Sequence, residues 1–215
     1  LSLAKPDAVH TVKHHRAIDW LKLPDFMKAM NALDVPNGSR PEVACMAFMI
    51  LTVSRPSEAR LVEWKEIDLE ERVWTQPAGK YKSKKMWEIP LCPTVVKILK
   101  AQPKRRGRVF STLDGGELYS AALSSMPDAL GFDAVAHGFR ATFRTWGQKQ
   151  QRFTEEELEL SLKHLDTVGC RAAYARDQLL PERRTVINAY EKWAMKGDSG
   201  QNKKVVSINK RRKAS

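Results

Sequence analysis

The sequence predicts a mainly α (α+β) chain, a helical domain with a small antiparallel β-sheet and hairpin on its edge. Three observations predict it. Apolar residues recur at helical spacing through most of the 215 residues. One interval, between residues 67 and 91, changes to short runs rich in Val, Ile, Trp and Thr bounded by turn residues. A hydrophobic fraction of 42% beside 29% charged residues supports a real core within a well-solvated surface.

Residues 1–22 lack clear periodicity and read as a linker, with His10, His14 and His15 in it. Pro24-Asp25 opens a first helix, on which Leu23, Phe26, Met27, Met30 and Leu33 fall at helical spacing. Asn37-Gly38 closes that region in a turn. Pro41 begins a second helix that is apolar almost all round (Val43, Met46, Phe48, Met49, Ile50, Leu51), which places it centrally in the core. Pro56 disfavours helix at Arg55, and Ser54 or Ser57 can cap a short helix carrying Leu61, Val62 and Trp64. Arg55 therefore falls at a helix-to-helix junction, a rigid place from which to present a side chain.

Strands are expected over Ile67 to Leu69, Val73 to Gln76 and Trp87 to Leu91, with Glu70-Glu71 as the first turn. The lysine-rich stretch Gly79-Lys80-Tyr81-Lys82-Ser83-Lys84-Lys85 forms the loop before the last of them. Helices are expected again over 93–102, 118–130, 137–150, 154–164, 168–175 and 181–195. Loops fall at Pro103 to Gly107 and Asp114-Gly115-Gly116. The last helix, with Val186, Ile187, Tyr190 and Trp193, is apolar enough to pack in cis or to dock on a neighbouring copy.

The formal net charge is +12, which points to a polyanionic partner, most simply nucleic acid. Half of that excess sits in residues 201–215, where Lys203, Lys204, Lys210, Arg211, Arg212 and Lys213 have no acidic neighbour; the tail reads as disordered. Three widely spaced cysteines (Cys45, Cys92, Cys170) argue against a disulfide scaffold or a zinc site and fit a reducing cytoplasm. No apolar run reaches membrane-spanning length, so no membrane partner is expected.

Several residues could do phosphate chemistry. His137 and Arg140 are three apart and share a face of a helix; a guanidinium there offers paired donors to phosphate oxygens, and an imidazole exchanges protons near neutral pH. Arg55 is equally open to a structural ion pair with Glu58. His164 stands near a helix end, and Tyr174, one of four tyrosines, is set apart by Arg171 and Arg176 beside it. Singly each is an ordinary residue. The order Arg55, lysine-rich hairpin, His137 and Arg140, His164, Tyr174 is far more specific.

In that order the chain resembles the tyrosine recombinase, or phage integrase, family, and within it the integrases of satellite phages and genomic islands. The resemblance is carried by Thr52-Val53-Ser54-Arg55-Pro56-Ser57-Glu58-Ala59, Trp74-Thr75-Gln76-Pro77-Ala78-Gly79-Lys80-Tyr81-Lys82, Ile89-Pro90-Leu91, His137-Gly138-Phe139-Arg140-Ala141-Thr142 and Arg171-Ala172-Ala173-Tyr174-Ala175-Arg176. It implies an integrase-like DNA breaking-rejoining fold. It further implies that Arg55 and Arg140 clamp the scissile phosphate, that Lys82 protonates the leaving 5′-oxygen, that His137 serves as acid/base partner, and that His164 hydrogen-bonds the phosphate. Tyr174 is then the nucleophile, forming a 3′-phosphotyrosine. Lys80, Lys84, Lys85, Arg171 and Arg176 are expected to contact DNA.

The implied organisation is a linker from an amino-terminal DNA-binding region over 1–15, a catalytic domain over 16–196 and a basic tail over 197–215. The implied partners are double-stranded DNA attachment sites, three further copies in a homotetramer, and accessory DNA-bending or excision factors. No metal and no nucleotide cofactor is implied, and a bacterial, nucleoid-associated protein is expected. A type IB topoisomerase shares this chemistry, and a non-catalytic DNA-binding module is the other alternative. Ala175 departs from the polar residue common after the tyrosine in this subgroup.

Overall fold

The computed structural model describes residues 15–33, 40–81, 85–103, 106–112, 114–164 and 178–198. The turn expected at Asn37-Gly38, the helix expected over 168–175 and residues 199–215 of the basic tail lie outside them.

The molecule is built around one buried helix. Helix α1 (Leu23–Asn31) starts with Pro24 in its first turn, where a missing N–H is harmless, and buries Leu23, Phe26, Met27 and Met30 on one face. Helix α2 (Pro41–Leu51) is buried continuously from Val43 to Leu51, as its all-round apolar sequence demands. Each such side chain removed from water contributes on the order of 1.5–3 kcal/mol. Phe48 on α2 touches Trp74 on the sheet (5.1 Å between ring centroids) and Phe110 (5.3 Å), so helix and sheet share one core.

Helix α3 (Pro56–Arg60) is shorter than expected and is capped differently. Neither Ser54 nor Ser57 caps it. Arg55 occupies the cap position, and its backbone N–H donates to Glu58 Oε2 at 2.9 Å. The Glu58 carboxylate, three residues on, thus supplies the back-reaching half of a capping box, satisfying the cap residue's own N–H.

The sheet comprises β1 (Ile67–Asp68), β2 (Val73–Gln76) and β3 (Trp87–Pro90), antiparallel in that order. Trp74 stands opposite both Ile67 and Ile89, and Gln76 opposite Trp87. Strand β1 ends before Leu69 because Asp68 Oδ1 accepts the N–H groups of Glu70 (2.9 Å) and Glu71 (2.8 Å) and turns the chain there.

Helix α4 (Pro93–Lys100) follows. The single helix expected over 118–130 is two, α5 (Ser120–Ser124) and α6 (Met126–Ala129). Pro127 has no N–H to continue the ladder, so the helix restarts around it. A 3-10 turn, Ala136–Gly138, leads into α7 (Phe139–Lys149), and α8 (Glu155–Ser161) is capped by Thr154, which accepts from the Glu157 N–H at 3.2 Å.

Helix α9 (Leu180–Ala194) packs on α8, β3 and α1 of its own chain. Val186, Ile187 and Tyr190 are buried, Tyr190 lying 5.0 Å from both Phe143 and Trp146. Trp193 stacks on Trp20 at 5.1 Å. The apolar face that could have served a neighbouring copy is therefore taken up in cis. Among the described residues no helix is long and apolar enough to cross a membrane.

Candidate active site

The site forms where two helices end. At the end of α2 the Val53 N–H returns to Ile50 O (3.2 Å) and the Ser54 N–H to Met49 O (3.2 Å). At the end of α8 the Lys163 N–H returns to Leu160 O (3.0 Å) and the His164 N–H to Glu159 O (3.0 Å). This paired closure requires a left-handed residue just past the helix, where glycine is usual. Here the residues are Val53, with φ 55°, and Lys163, with φ 56°. A side chain in that conformation costs about 1–2 kcal/mol, and such strain gathers at functional sites. The two turns aim Arg55 and His164 out of their helices.

Arg140, on the first turn of α7, lies between these ends. Its Nη1 donates to the Val53 carbonyl at 2.6 Å, and its Nη2 donates to the Leu162 carbonyl at 2.5 Å and to His164 Nε2 at 3.2 Å. Helix C-termini carry unsatisfied carbonyls and partial negative charge, so two of them together make a fitted receptor for a guanidinium. Burial, and then the neighbouring Arg55, lower the Arg140 pKa to about 10, which leaves it charged at neutral pH.

His164 is fixed from both sides. Its Nδ1 lies 2.8 Å from Glu159 Oε2, and Glu159 Oε1 also accepts from Arg144 Nε at 2.5 Å. Arg140 can only donate, so His164 Nε2 accepts from it and Nδ1 carries the proton toward Glu159.

Arg55 is the more open of the two arginines, its side chain 27% exposed. Its Nη1 donates to Glu58 Oε1 at 3.1 Å, so the structural ion pair is present, and the same residue lines a cleft of about 300 Å³ with Ser57, Glu58, Leu61, Lys80 and Tyr81. His137 sits in the 3-10 turn that precedes α7, with the His15 ring 4.5 Å away. Burial first, then repulsion from His15, Arg140 and Arg55, lower the His137 pKa, which favours its neutral form near pH 7.

Of the lysine-rich loop, Lys80 is engaged by two carboxylates, with Nζ 2.9 Å from Glu63 Oε1 and also against Glu66. The Glu66 carboxylate is itself held by Tyr81 Oη (2.8 Å) and Trp74 Nε1 (3.0 Å), so Lys80 is part of a half-buried polar cluster beside the cleft. Lys85 is described and exposed. Tyr174, Lys82, Lys84, Arg171 and Arg176 lie outside the described residues. The stretch 165–177 starts at His164 and ends at Gln178, which is clamped to β3. Gln178 Oε1 accepts the Glu88 N–H (2.8 Å), its amide Nε2 donates to Met86 O (3.1 Å), and Arg183 Nε donates to Gln178 O (2.6 Å).

The chain is similar to several integrases. It is 28% identical over 183 residues to prophage integrase IntZ of Escherichia coli, covering 82% of this chain and 44% of that protein. It is 25% identical over 198 residues to the integrase of Shigella phage Sf6, covering 87% of this chain and 51% of that protein. The chain thus spans about half the length of the curated relatives it matches. Among solved structures, the integrase from mycobacterium phage Brujita superposes with a TM-score of 0.60 at 18% identity, covering 86% of this chain and 61% of that chain. XerH site-specific recombinase bound to difH substrate superposes with a TM-score of 0.56 at 18% identity, covering 74% of this chain and 50% of that chain. No family model matches.

The chain has the catalytic-domain fold of the phage-type tyrosine recombinases.

In this domain the structure brings together Arg55, His137, Arg140 and His164. It also adds residues that reading the sequence for catalysis passed over. Glu159 orients His164, Lys163 pairs with Glu58, and His15 covers His137. Glu58 was visible at three residues from Arg55, and Glu159 at the end of the helix that presents His164. Nothing in the sequence marked Lys163 or placed His15.

Proposed function

We propose that this domain is the strand-cutting and rejoining part of a site-specific DNA recombinase, an integrase acting on double-stranded attachment sites of a mobile element or prophage. The observation that carries the reading is the convergence of Arg55, His137, Arg140 and His164 on the ends of α2 and α8. Two guanidiniums and two imidazoles in one neighbourhood suit a phosphodiester whose charge grows as a fifth oxygen adds. The integrase names of the sequence relatives and the DNA substrate in the XerH complex support it.

On this reading Tyr174 Oη attacks the scissile phosphorus and yields its proton, with neutral His137 as the acceptor. The bond to the 5′-oxygen breaks, and Lys82 supplies the proton that this oxygen takes up. The product is a 3′-phosphotyrosine and a free 5′-hydroxyl; the energy of the broken ester is kept, so a 5′-hydroxyl from a second duplex reverses the step. A synapse of two duplexes calls for four copies, assembled on DNA with accessory bending or excision factors.

The test is covalent attachment to a duplex nicked beside the attachment-site crossover. Wild-type protein should form a detergent-stable adduct, and Tyr174→Phe should bind the duplex without forming one. An adduct in the Phe variant would remove Tyr174 from the role. Relaxation of supercoiled plasmids that lack any such site would favour a topoisomerase instead.

A further inference from the structure

Lys163 is among the buried charges that the chemistry above leaves unused. Lys163 is a poor choice for its position on two counts. It holds the left-handed conformation that closes α8 (φ 56°), and its side chain is only 5% exposed. Its ammonium is satisfied there by Glu58 Oε2 at 2.5 Å and by Gln76 Oε1 on β2 at 2.7 Å. Glu58, itself 4% exposed, also takes the backbone N–H of Arg55 (2.9 Å) and, through its other oxygen, Arg55 Nη1 (3.1 Å). A single buried carboxylate is thus shared between the lysine of one helix end and the arginine of the other.

We propose that Lys163 is a positioning residue for Arg55. By neutralising Glu58, it keeps that carboxylate from claiming the whole Arg55 charge and leaves the guanidinium available to a phosphate oxygen. The proposal rests on the phosphate-clamp reading of Arg55. Its logic is that of any shared ion pair. With one cation beside it, Glu58 closes on Arg55 as a full partner; with two, the cluster of Arg55, Glu58 and Lys163 keeps a net positive charge, and Arg140 nearby adds to it. Gln76 fixes the ammonium from the sheet side without adding charge. Glu58 remains ionised, since Lys163 and Arg55 together overcome the effect of its burial and lower its pKa.

The arrangement also predicts a pH signature. Burial lowers the Lys163 pKa to about 8, against the pull of Glu58, with Arg55 and Arg140 pushing the same way as burial. The charged groups that face Lys163 are Glu58 and Arg55 on and beside α3 and Arg140 on α7; His164 follows it in the chain. Below about pH 8 the ammonium is present and Arg55 is shared; above it the lysine is neutral and Glu58 turns wholly to Arg55.

The experiment compares full-length wild type, Lys163→Gly and Lys163→Arg in single-turnover adduct formation on the nicked duplex, from about pH 7 to about pH 9.5. Glycine suits the left-handed position, so Lys163→Gly keeps the backbone while removing the cation. The expected result is a loss of roughly tenfold or more in cleavage rate for Lys163→Gly at neutral pH, with duplex binding unchanged, as for loss of a charge that acts in the transition state. Wild type should converge on the glycine variant as pH rises through about 8, whereas Lys163→Arg, if folded, should not, because its guanidinium stays charged. Equal neutral-pH rates for wild type and Lys163→Gly would overturn the proposal.

A second readout does not depend on cleavage. The Arg55 side-chain NMR signal should shift as wild type passes through the Lys163 titration and should stay still in Lys163→Gly. A wild type that forms no adduct but shows this coupling would sink the recombinase reading alone. Absent coupling would sink the role of Lys163, whatever the cleavage assay gives.

Discussion

The Arg140 guanidinium donates to the carbonyl of Val53, a residue held at φ 55° two positions past the end of α2. The same side chain reaches Leu162 O at the end of α8. Arg140 thus ties two helix ends into one frame, and Val53 adopts a strained backbone so that its carbonyl faces inward.

This tie separates the two arginines by experiment. Arg55→Ala and Arg140→Ala should each slow adduct formation by about 10²–10³-fold, the scale for removing one donor to developing charge. Only Arg140→Ala should also unfold easily, because it strips partners from two carbonyls in the interior, each worth roughly 1–3 kcal/mol when left unsatisfied. Thermal melts of both variants decide the matter. Equal melting temperatures would show that the helix ends do not need the guanidinium.

The ring of His15 covers His137, and it should be visible in a titration. His15→Ala removes part of the cover and a repelling imidazole, so the His137 pKa should rise toward the ordinary histidine range, read from ring NMR signals. The sign for stability follows from the lowered folded-state value. Protonating His137 is harder folded than unfolded, so it withdraws stability as pH falls through about 6.5 and below, and His15→Ala should blunt that acid loss. A His137 titration indifferent to the substitution would show that burial and the neighbouring arginines set it without His15.

Gly138 is needed for close approach. A Cβ there would lie 2.0 Å from Arg16 O and 2.9 Å from Ala17 Cα, both backbone atoms that cannot step aside. Gly138→Ala should lift the segment around Arg16 to Ile18, breaking Val135 N–H to Arg16 O (3.1 Å) and Thr142 Oγ1 to Ile18 O (2.7 Å). The expected destabilisation is about 1–3 kcal/mol, with faster hydrogen exchange at the Val135 amide. Unchanged protection there would mean that the segment can shift at no cost.

Gln151 offers the opposite change. It follows the end of α7 with φ 56° and is exposed, so nothing is lost by removing its side chain. Gln151→Gly should raise stability by about 1 kcal/mol, or roughly 2–4 °C in melting temperature for a domain of this size. A lowered melting temperature would show that the left-handed turn carries no strain.

What the sequence revealed and what it hid divide along range and backbone sign. The helices of α1 and α2, the three strands, and the presence of Arg55 at a junction follow from local periodicity and from prolines that act on their neighbours. The pairing of Arg55 with Glu58 is local too, three residues apart. Arg140 and Val53 are 87 residues apart, and so are Lys163 and Gln76; no local pattern couples them. The turns that close α2 and α8 escaped notice because glycine, the usual marker, is absent from both. The break between α5 and α6 was readable from Pro127 and passed over because the apolar spacing runs through it.

The clamp of Gln178 on β3 has a kinetic meaning. Tyr174 lies in sequence between His164, held by Arg140 and Glu159, and Gln178, held by β3, so the described residues on either side of it are fixed in the same domain. On the proposed reading, the hydroxyl meets its phosphate as an intramolecular reactant, at an effective concentration on the order of millimolar before any orientation is counted. Releasing the far anchor, by Gln178→Ala, would dilute the nucleophile without touching a single group that contacts the phosphate.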